Sequence, residues 1–248
     1  MSKTSNQIQE LRPEEKRTLL AHLLQKRGSQ PKYFPLSFAQ ERLWFLDQFQ
    51  PGTPLYNIPF AIGLPGRLNM EALERSLSEI IRRHEILRTT FAVVDGRPVQ
   101  IIHTALPLEL PTIDLRRLPA RERESEVARL ASQTALDPFD LMRGPLMRTL
   151  LVRRSEHDHL LLLTMHHIIS DAWSMGIFFH EFSLLYEAYC AHQASPLPEL
   201  TVQYADFAQW QRQWLSGPRL EQLLGYWREQ LRGAPTVLEL PTDHARPA

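Results

Sequence analysis

The chain reads, near its middle, Leu160-Leu161-Leu162-Leu163-Thr164-Met165-His166-His167-Ile168-Ile169-Ser170-Asp171. An apolar run of strand length that stops in polar residues is typical of a buried strand leading into a functional loop. Neighbouring strand residues point to opposite faces, so His166 and His167 should project apart. The stretch predicts a central strand whose end places one histidine in a cleft and the other in support.

Other strands are predicted on either side of this stretch. The apolar run 146–153 lies just before the central strand and predicts its antiparallel partner near the centre of a sheet. Residues 89–94 and 98–103 are rich in β-formers and are joined through Asp95-Gly96, a pair that accepts the positive φ angles of a tight turn. These residues predict a second hairpin.

Helical spacing of apolar residues recurs along the rest of the chain. It predicts helices from Asn69 as a cap, over 119–135, beyond Ser174, over 204–215 and over 219–231. In the helix predicted beyond Ser174, the residues expected on the inward face are Ile177, Phe178, Glu181, Phe182, Leu185 and Tyr189. Aromatic residues at helical spacing usually pack inside, so Trp210, Trp214 and Trp227 are assigned to the core.

The first 28 residues form a separate segment in this interpretation. Pro13 suits a first helical turn, the apolar positions that follow are spaced as in a helix, and Gly28 suits its end. We expect residues 1–28 to be a leader helix that acts as a linker or as a docking element.

Composition excludes several classes of function. The formal net charge is zero, so there is no basic surplus for a nucleic acid. No apolar run has the length of a membrane span or a signal peptide, so no membrane partner is expected. Cys190 is the only cysteine, which excludes an internal disulfide and favours a cytoplasmic location.

The histidine pair suggests proton-transfer chemistry. A neutral imidazole accepts or relays a proton near pH 7, as attack of an amine on a thioester or ester requires. Asp171 is expected to hold the loop through an arginine, with Arg88 as its partner. The alternative without function is a histidine that is satisfied inside the core. A metal site is disfavoured because adjacent histidines diverge, and none is assigned.

Four segments, in this order, resemble the signatures of condensation domains of nonribosomal peptide synthetases. They are Ser37 to Leu46, Arg83 to Phe91, Met165 to Ser174, which is similar to the His-His-x-x-x-Asp-Gly signature, and Tyr204 to Trp210. The resemblance extends from about residue 33 to the end. It implies a chloramphenicol-acetyltransferase-like α/β fold in which two lobes form a V, each with a mixed sheet and flanking helices.

The resemblance also implies the domain limits and the roles of residues. The N-terminal lobe spans 33–192, and 193–248 is the helical start of a truncated second lobe. His167 is the catalytic residue facing the cleft. The supporting residues are His166, Asp171, Ala172, Trp173 and Ser174, and Arg88 joins them as the expected partner of Asp171.

The activity implied is amide-bond formation between aminoacyl or peptidyl thioesters in secondary-metabolite biosynthesis. These thioesters are carried on the 4'-phosphopantetheine of donor and acceptor carrier proteins, and no intrinsic cofactor is expected. The missing lobe and adjacent synthetase modules are further partners. The first signature and the segment 171–176 are most similar to the class that joins an L-configured donor to an L-configured acceptor.

One departure from the family pattern is Ala172, where the family usually has glycine. A positive φ there would cost roughly 1 kcal/mol, and a negative φ would make the change nearly silent. A larger departure is the absent later part of the domain, which leaves open whether the fragment is active by itself. Two alternatives also stay open: a non-catalytic docking or scaffold lobe, and a coenzyme-A-dependent acyltransferase of the same fold.

Overall fold

The computed structural model describes residues 32–237, 241 and 243–244. The leader helix predicted for residues 1–28 lies outside this range. The strands are β1 (Lys32–Pro35), β2 (Asn57–Pro65), β3 (Thr89–Val94), β4 (Arg97–Ile102), β5 (Thr112–Asp114), β6 (Met147–Ser155) and β7 (Asp158–His166). The helices are α1 (Phe38–Phe49), α2 (Met70–Arg83), α3 (Ala120–Leu136), α4 (Ala172–Cys190), α5 (Tyr204–Trp214) and α6 (Gly217–Gln230), with a 3₁₀ turn at Glu85–Arg88.

A four-stranded mixed sheet carries the histidine stretch. Its strand order is β2-β7-β6-β5, with β5 parallel to β6 and the other pairs antiparallel. Leu161 and Leu163 face a core formed with α2 and α4, whereas Leu160 and Leu162 face a smaller core formed with α3. Burial on both faces explains why the run is continuously apolar. The predicted central strand pair is confirmed.

The second hairpin belongs to a separate three-stranded sheet with the order β1-β4-β3. Its turn residues Asp95 and Gly96 have φ angles of 51° and 75°, as a two-residue turn of this type requires. The predicted hairpin is confirmed. Its division from the larger sheet was not predicted.

The helices predicted within the described residues are confirmed with small changes at their ends. Asn69 caps α2 by accepting the Ala72 N–H at 3.1 Å, and Leu73, Leu77 and Ile80 are fully buried. Helix α2 packs against α4, and α3 covers the opposite face of the four-stranded sheet through Leu130. The larger sheet is thus enclosed between helical layers.

The assignment of three tryptophans to the core is wrong. Trp210, Trp214 and Trp227 are 52%, 39% and 58% exposed. Helix α5 buries only its small residues Ala205 and Ala208, and α6 buries none. Periodicity identifies a face but not its partner, and within the described part of the chain no element covers this aromatic face.

Polar contacts attach α5 to the start of α1. The hydroxyl groups of Tyr204 and Ser37 share a hydrogen bond of 2.9 Å. Arg212 donates from Nε to the Leu36 carbonyl at 2.8 Å, and the Phe38 N–H donates to the Gln211 side chain at 3.0 Å. The position of α5 is therefore set by hydrogen bonds more than by apolar burial. None of the described helices combines the length and apolarity that a bilayer span requires.

Candidate active site

The loop 167–170 connects β7 to α4 and sends the two histidines in different directions. His166 is 3% exposed and packs edge-on against Phe139, while His167 is exposed to solvent. The His167 N–H donates to the Tyr56 carbonyl at 2.8 Å, which ties the loop to the start of β2. The predicted divergence of the pair is confirmed.

His166 is a neutral internal support of the loop. Its Nδ1 accepts the Ile168 N–H at 3.0 Å, and its carbonyl accepts the Ser170 hydroxyl at 3.3 Å. Burial, with a smaller contribution from the charge of His167, lowers the pKa of His166 to about 4. The ring therefore remains uncharged at neutral pH and continues to accept the loop N–H.

The side chain of His167 is held in one tautomer. Its Nδ1 lies 2.7 Å from the Ser170 carbonyl oxygen, which only accepts hydrogen bonds, so Nδ1 carries the proton. In the neutral ring Nε2 then has a free lone pair, and it has no hydrogen-bond partner within the described residues. This arrangement suits a base.

Asp171 braces the loop through the backbone of α4. As the N-cap residue it accepts the Ser174 N–H at 2.8 Å, and the Ser174 hydroxyl accepts the Asp171 N–H at 2.8 Å. The Ser174 N–H hydrogen bond is the main cause of the lowered pKa of Asp171, with burial opposing it. The carboxylate is therefore ionised at neutral pH.

The expected pairing of Asp171 with Arg88 is wrong. Arg88 donates to the His103 carbonyl and, at 3.4 Å, to Glu85. Its guanidinium braces the end of β4 against the 3₁₀ turn, while the helix backbone satisfies Asp171. The capping function of an aspartate four residues after the histidine explains the difference.

Ala172 and Trp173 begin α4. Ala172 has helical geometry, and the residues other than glycine with positive φ in the described chain are Asp95 and His192. The replacement of the usual glycine is therefore accommodated without strain. Trp173 is 80% exposed and stands next to the loop on the surface.

Two cavities meet at His167. The first, of about 300 Å³, is called the signature cavity because all four segments with family signatures contribute to it. Its lining comprises Ala39, Gln40, Arg42, Leu43, His84, Ile86, His167–Asp171, Ser174, Leu200, Val202, Gln203 and Tyr204. The second, the β2-side cavity of about 470 Å³, is lined by His167 with Leu55–Ile58, Phe60, Ala172 and Met175. Distant segments of sequence therefore converge on one imidazole.

Two groups of polar residues at this site were not predicted. Gln40, 1% exposed, donates to Gln100 at 3.1 Å and lies 3.5 Å from the Ile168 carbonyl in the histidine loop. Glu181 accepts hydrogen bonds from Arg83 and His84. Its place in the otherwise apolar face of α4 was a usable signal.

Comparison with known proteins gives consistent results. Residues 30–248 match the family model described as condensation domain. The chain is 54% identical over 220 residues to a linear gramicidin synthase from Brevibacillus parabrevis, and the match covers 89% of this chain and 4% of that protein. It is 47% identical over 214 residues to phosphinothricin tripeptide synthetase PhsC of Streptomyces viridochromogenes, covering 86% of this chain and 20% of that protein.

Solved structures agree in fold. The X-domain from teicoplanin biosynthesis superimposes with a TM-score of 0.75 at 35% identity, covering 88% of this chain and 48% of that one. The X-domain has also been solved as a complex with OxyB. The starter condensation domain of rhizomide synthetase RzmA has a TM-score of 0.74 at 20% identity, covering 83% of this chain and 49% of that one.

The chain belongs to the condensation domain family. Its fold is the chloramphenicol-acetyltransferase-like α/β fold of the N-terminal half of condensation domains from nonribosomal peptide synthetases. It spans about half the length of the solved domains and a small part of the curated synthetases that it matches.

Proposed function

We propose that this chain supplies the histidine half of a site that forms amide bonds between two carrier-bound thioesters. Each substrate is an aminoacyl or peptidyl group on the 4'-phosphopantetheine arm of a donor or acceptor carrier protein. The similarity to peptide synthetases supports this substrate class. The proposal requires no intrinsic cofactor, because the reacting groups arrive already activated as thioesters.

The position of His167 between two cavities carries the proposal. One arm enters the signature cavity and the other the β2-side cavity, so that their reactive ends meet at the imidazole. The acceptor amine attacks the donor thioester carbonyl, the new C–N bond forms, and the C–S bond breaks. His167 Nε2 takes the proton lost by the amine and returns it to the departing thiolate.

Most of the rate gain in this mechanism comes from holding amine and thioester at attack distance. The supporting residues keep the base in place. His166 and Ser170 shape the loop, and Asp171 with Ser174 fixes its junction with α4. Ala172 and Trp173 form the first turn of that helix, and Arg88 braces the neighbouring β4.

The first signature and the segment 171–176 favour an L-configured donor and an L-configured acceptor. The second lobe and neighbouring synthetase modules act as partners, and the exposed aromatic face of α5 and α6 offers them a surface. The single free Cys190 suits a reducing compartment, and we place the reaction in the cytoplasm.

A docking lobe without catalytic activity is the second candidate. The X-domain, which is 35% identical to this chain, has been solved in complex with OxyB, so a domain of this fold is found bound to another protein. This candidate predicts that binding to carrier proteins or modules survives removal of the histidine, with no product formed.

The test follows dipeptide formation by intact-protein mass spectrometry. Loaded donor and acceptor carriers are mixed with this chain, and separately with a longer polypeptide that contains it. We expect an acceptor-bound dipeptide that His167→Ala abolishes. His157→Ala, in the exposed β6–β7 turn, is the matched control and should leave the yield unchanged. Absence of product from both polypeptides would refute catalysis and favour the docking lobe.

Two changes of substrate test the requirement for a carrier protein and the configuration of the donor. Replacing the donor carrier by the same acyl group on coenzyme A distinguishes the acyltransferase alternative, which predicts equal or better turnover. Replacing the L-configured donor by its D-enantiomer should lower the rate at least tenfold if the stereochemical assignment holds. A tenfold loss of rate corresponds to about 1.4 kcal/mol of transition-state stabilisation.

A further inference from the structure

Arg83, His84 and Glu181 form a buried charged cluster beside the signature cavity. The side chains of Arg83 and Glu181 are 2% and 9% exposed. Arg83 donates to both carboxylate oxygens of Glu181 at 3.3 Å, and His84 donates from Nε2 at 2.8 Å. Donors on two consecutive residues of one segment therefore converge on a single carboxylate of α4, which fixes their orientation.

The cluster also holds the segment 197–203, which has no helix or strand of its own. Arg83 donates from Nη1 to the Pro198 carbonyl at 2.8 Å. At the other end, Gln203 donates to the Arg83 carbonyl at 2.8 Å and accepts the Glu85 N–H at 3.0 Å. Both ends of the segment are thereby tied to Arg83, and the Gln203 end is also tied to Glu85.

This segment is one wall of the signature cavity. Leu200, Val202 and Gln203 line that cavity together with His84 and His167. Neither the segment nor the charged cluster lines the β2-side cavity. A change at Glu181 should therefore reach one of the two cavities only.

The charge of Glu181 is central to this arrangement. Burial raises the pKa of Glu181, but hydrogen bonds from Arg83 and His84 outweigh it, and the net pKa is lowered. The carboxylate is thus ionised at neutral pH. Its neutralisation would leave the Arg83 guanidinium buried without a counter-ion, a costly arrangement that favours opening of the contacts around it.

We propose that Glu181 is a positioning residue for one of the two thioester arms. Through Arg83 and His84 it holds the segment 197–203 as a wall of the signature cavity, and so determines how tightly the arm in that cavity binds. This inference rests on the proposed function. Glu181 touches neither substrate nor His167, so its effect falls on binding and not on the chemical step.

The kinetic test uses the polypeptide that is active in the mass-spectrometric assay. Glu181→Gln keeps the shape and removes the charge, and Glu187→Gln, exposed on the same helix, is the matched control. For Glu181→Gln we expect KM to rise about tenfold for one loaded carrier, the effect of losing about one well-made buried hydrogen bond. The KM for the other carrier and kcat should stay within about twofold, because the β2-side cavity and His167 are untouched. A purely structural role would instead lower kcat or raise the KM values for both carriers alike, and that outcome would overturn the inference.

Hydrogen–deuterium exchange tests the same inference without activity. In Glu181→Gln, the Gln203 amide, which donates to Asp206, and the Glu85 amide, which donates to the Gln203 side chain, should exchange about tenfold faster than in the wild type, while β7 amides in 158–166 keep their protection. Gln203→Ala releases the same segment from its other end and should reproduce the change with Glu181 intact, which covers the case in which Glu181→Gln fails to fold. Unchanged exchange overturns the inference even if the wild type is active. An inactive wild type overturns the proposed function and the inferred effect on binding of a thioester arm. The exchange result still decides whether Glu181 holds the segment 197–203.

Discussion

Gln40 and Gln48 lie on the same helix and allow the same substitution in opposite environments. Gln40 is 1% exposed; its Oε1 accepts the Ser37 N–H at 3.0 Å, and its Nε2 donates to Gln100 at 3.1 Å. Gln48 is exposed, and its side chain donates to Asp47 at 3.0 Å. Methionine matches glutamine in length, so Gln40→Met leaves Ser37 N–H and the Gln100 oxygen without these partners. Each loss costs about 1–3 kcal/mol, and added apolar burial returns about 1 kcal/mol, so about 3 kcal/mol of stability should be lost.

Urea denaturation of the chain measures this difference. Gln48→Met should change the free energy of unfolding by less than about 0.5 kcal/mol, as exposed substitutions usually do. The double variant Gln40→Met with Gln100→Met should lose about 1 kcal/mol less than the sum of the two single losses, because the partners are removed together. Equal stabilities of Gln40→Met and Gln48→Met would refute the view that a buried amide pair supports the histidine loop.

Three other predictions concern the loop and the core. Burial lowers the folded-state pKa of His166 from 6.5 to about 4, so folding loses stability as the pH falls between these two values. Relative to His166→Asn, the wild type should lose about 3 kcal/mol over this range, measured by urea denaturation at several pH values. A difference that stays constant with pH would contradict the burial of a neutral ring. Asp171→Ala should lower stability by about 1 kcal/mol at neutral pH through loss of the cap, measured by urea denaturation. This deficit should shrink as the pH falls from the ordinary carboxyl pKa of 3.8 through the lowered folded-state pKa, and a deficit that stays constant through this range would contradict the capping role. Ala172→Gly should leave dipeptide formation within about twofold and cost at most about 1 kcal/mol in thermal unfolding, since the site is an ordinary helical position; a large gain in rate would show that the missing glycine matters.

Sequence reasoning succeeded where local patterns determine structure. Asp95-Gly96 carries its own turn preference, Asn69 caps the helix that follows it, and the run 160–163 is apolar because both of its faces are covered. In each case the residues that decide the element lie within it or beside it. The divergence of His166 and His167 likewise follows from strand geometry alone.

The elements that were missed depend on partners far along the chain. Strand β2 contains Pro59, Gly63 and Pro65 and no fully buried residue, so it resembles a loop until β7 pairs with it as a sheet edge. Strand β1 has only four residues and exists through its pairing with β4. Such strands have weak local signals because their stability comes from the ladder.

The site was only partly predictable for the same reason. The four signature segments were found in the sequence, but their meeting around one cavity depends on the tertiary fold. Opposite charge suggests that Arg88 pairs with Asp171. In the structure Arg88 donates to the His103 carbonyl, and Asp171 caps α4 by accepting the Ser174 N–H. Charge complementarity between distant positions does not identify pairs when nearby backbone groups compete for the same side chains.

The hydrogen bonds between α1 and α5 also constrain the timing of assembly during synthesis. Ser37 and Tyr204 are 167 residues apart in sequence. At the usual translation rate of about 5–20 residues per second, roughly 10–30 s pass between the emergence of the two segments from the ribosome. During that interval the first signature segment has its own helix cap but not the neighbour that completes its surroundings. The wall of the cavity near α1 is therefore among the last parts of the site to be completed on a growing chain.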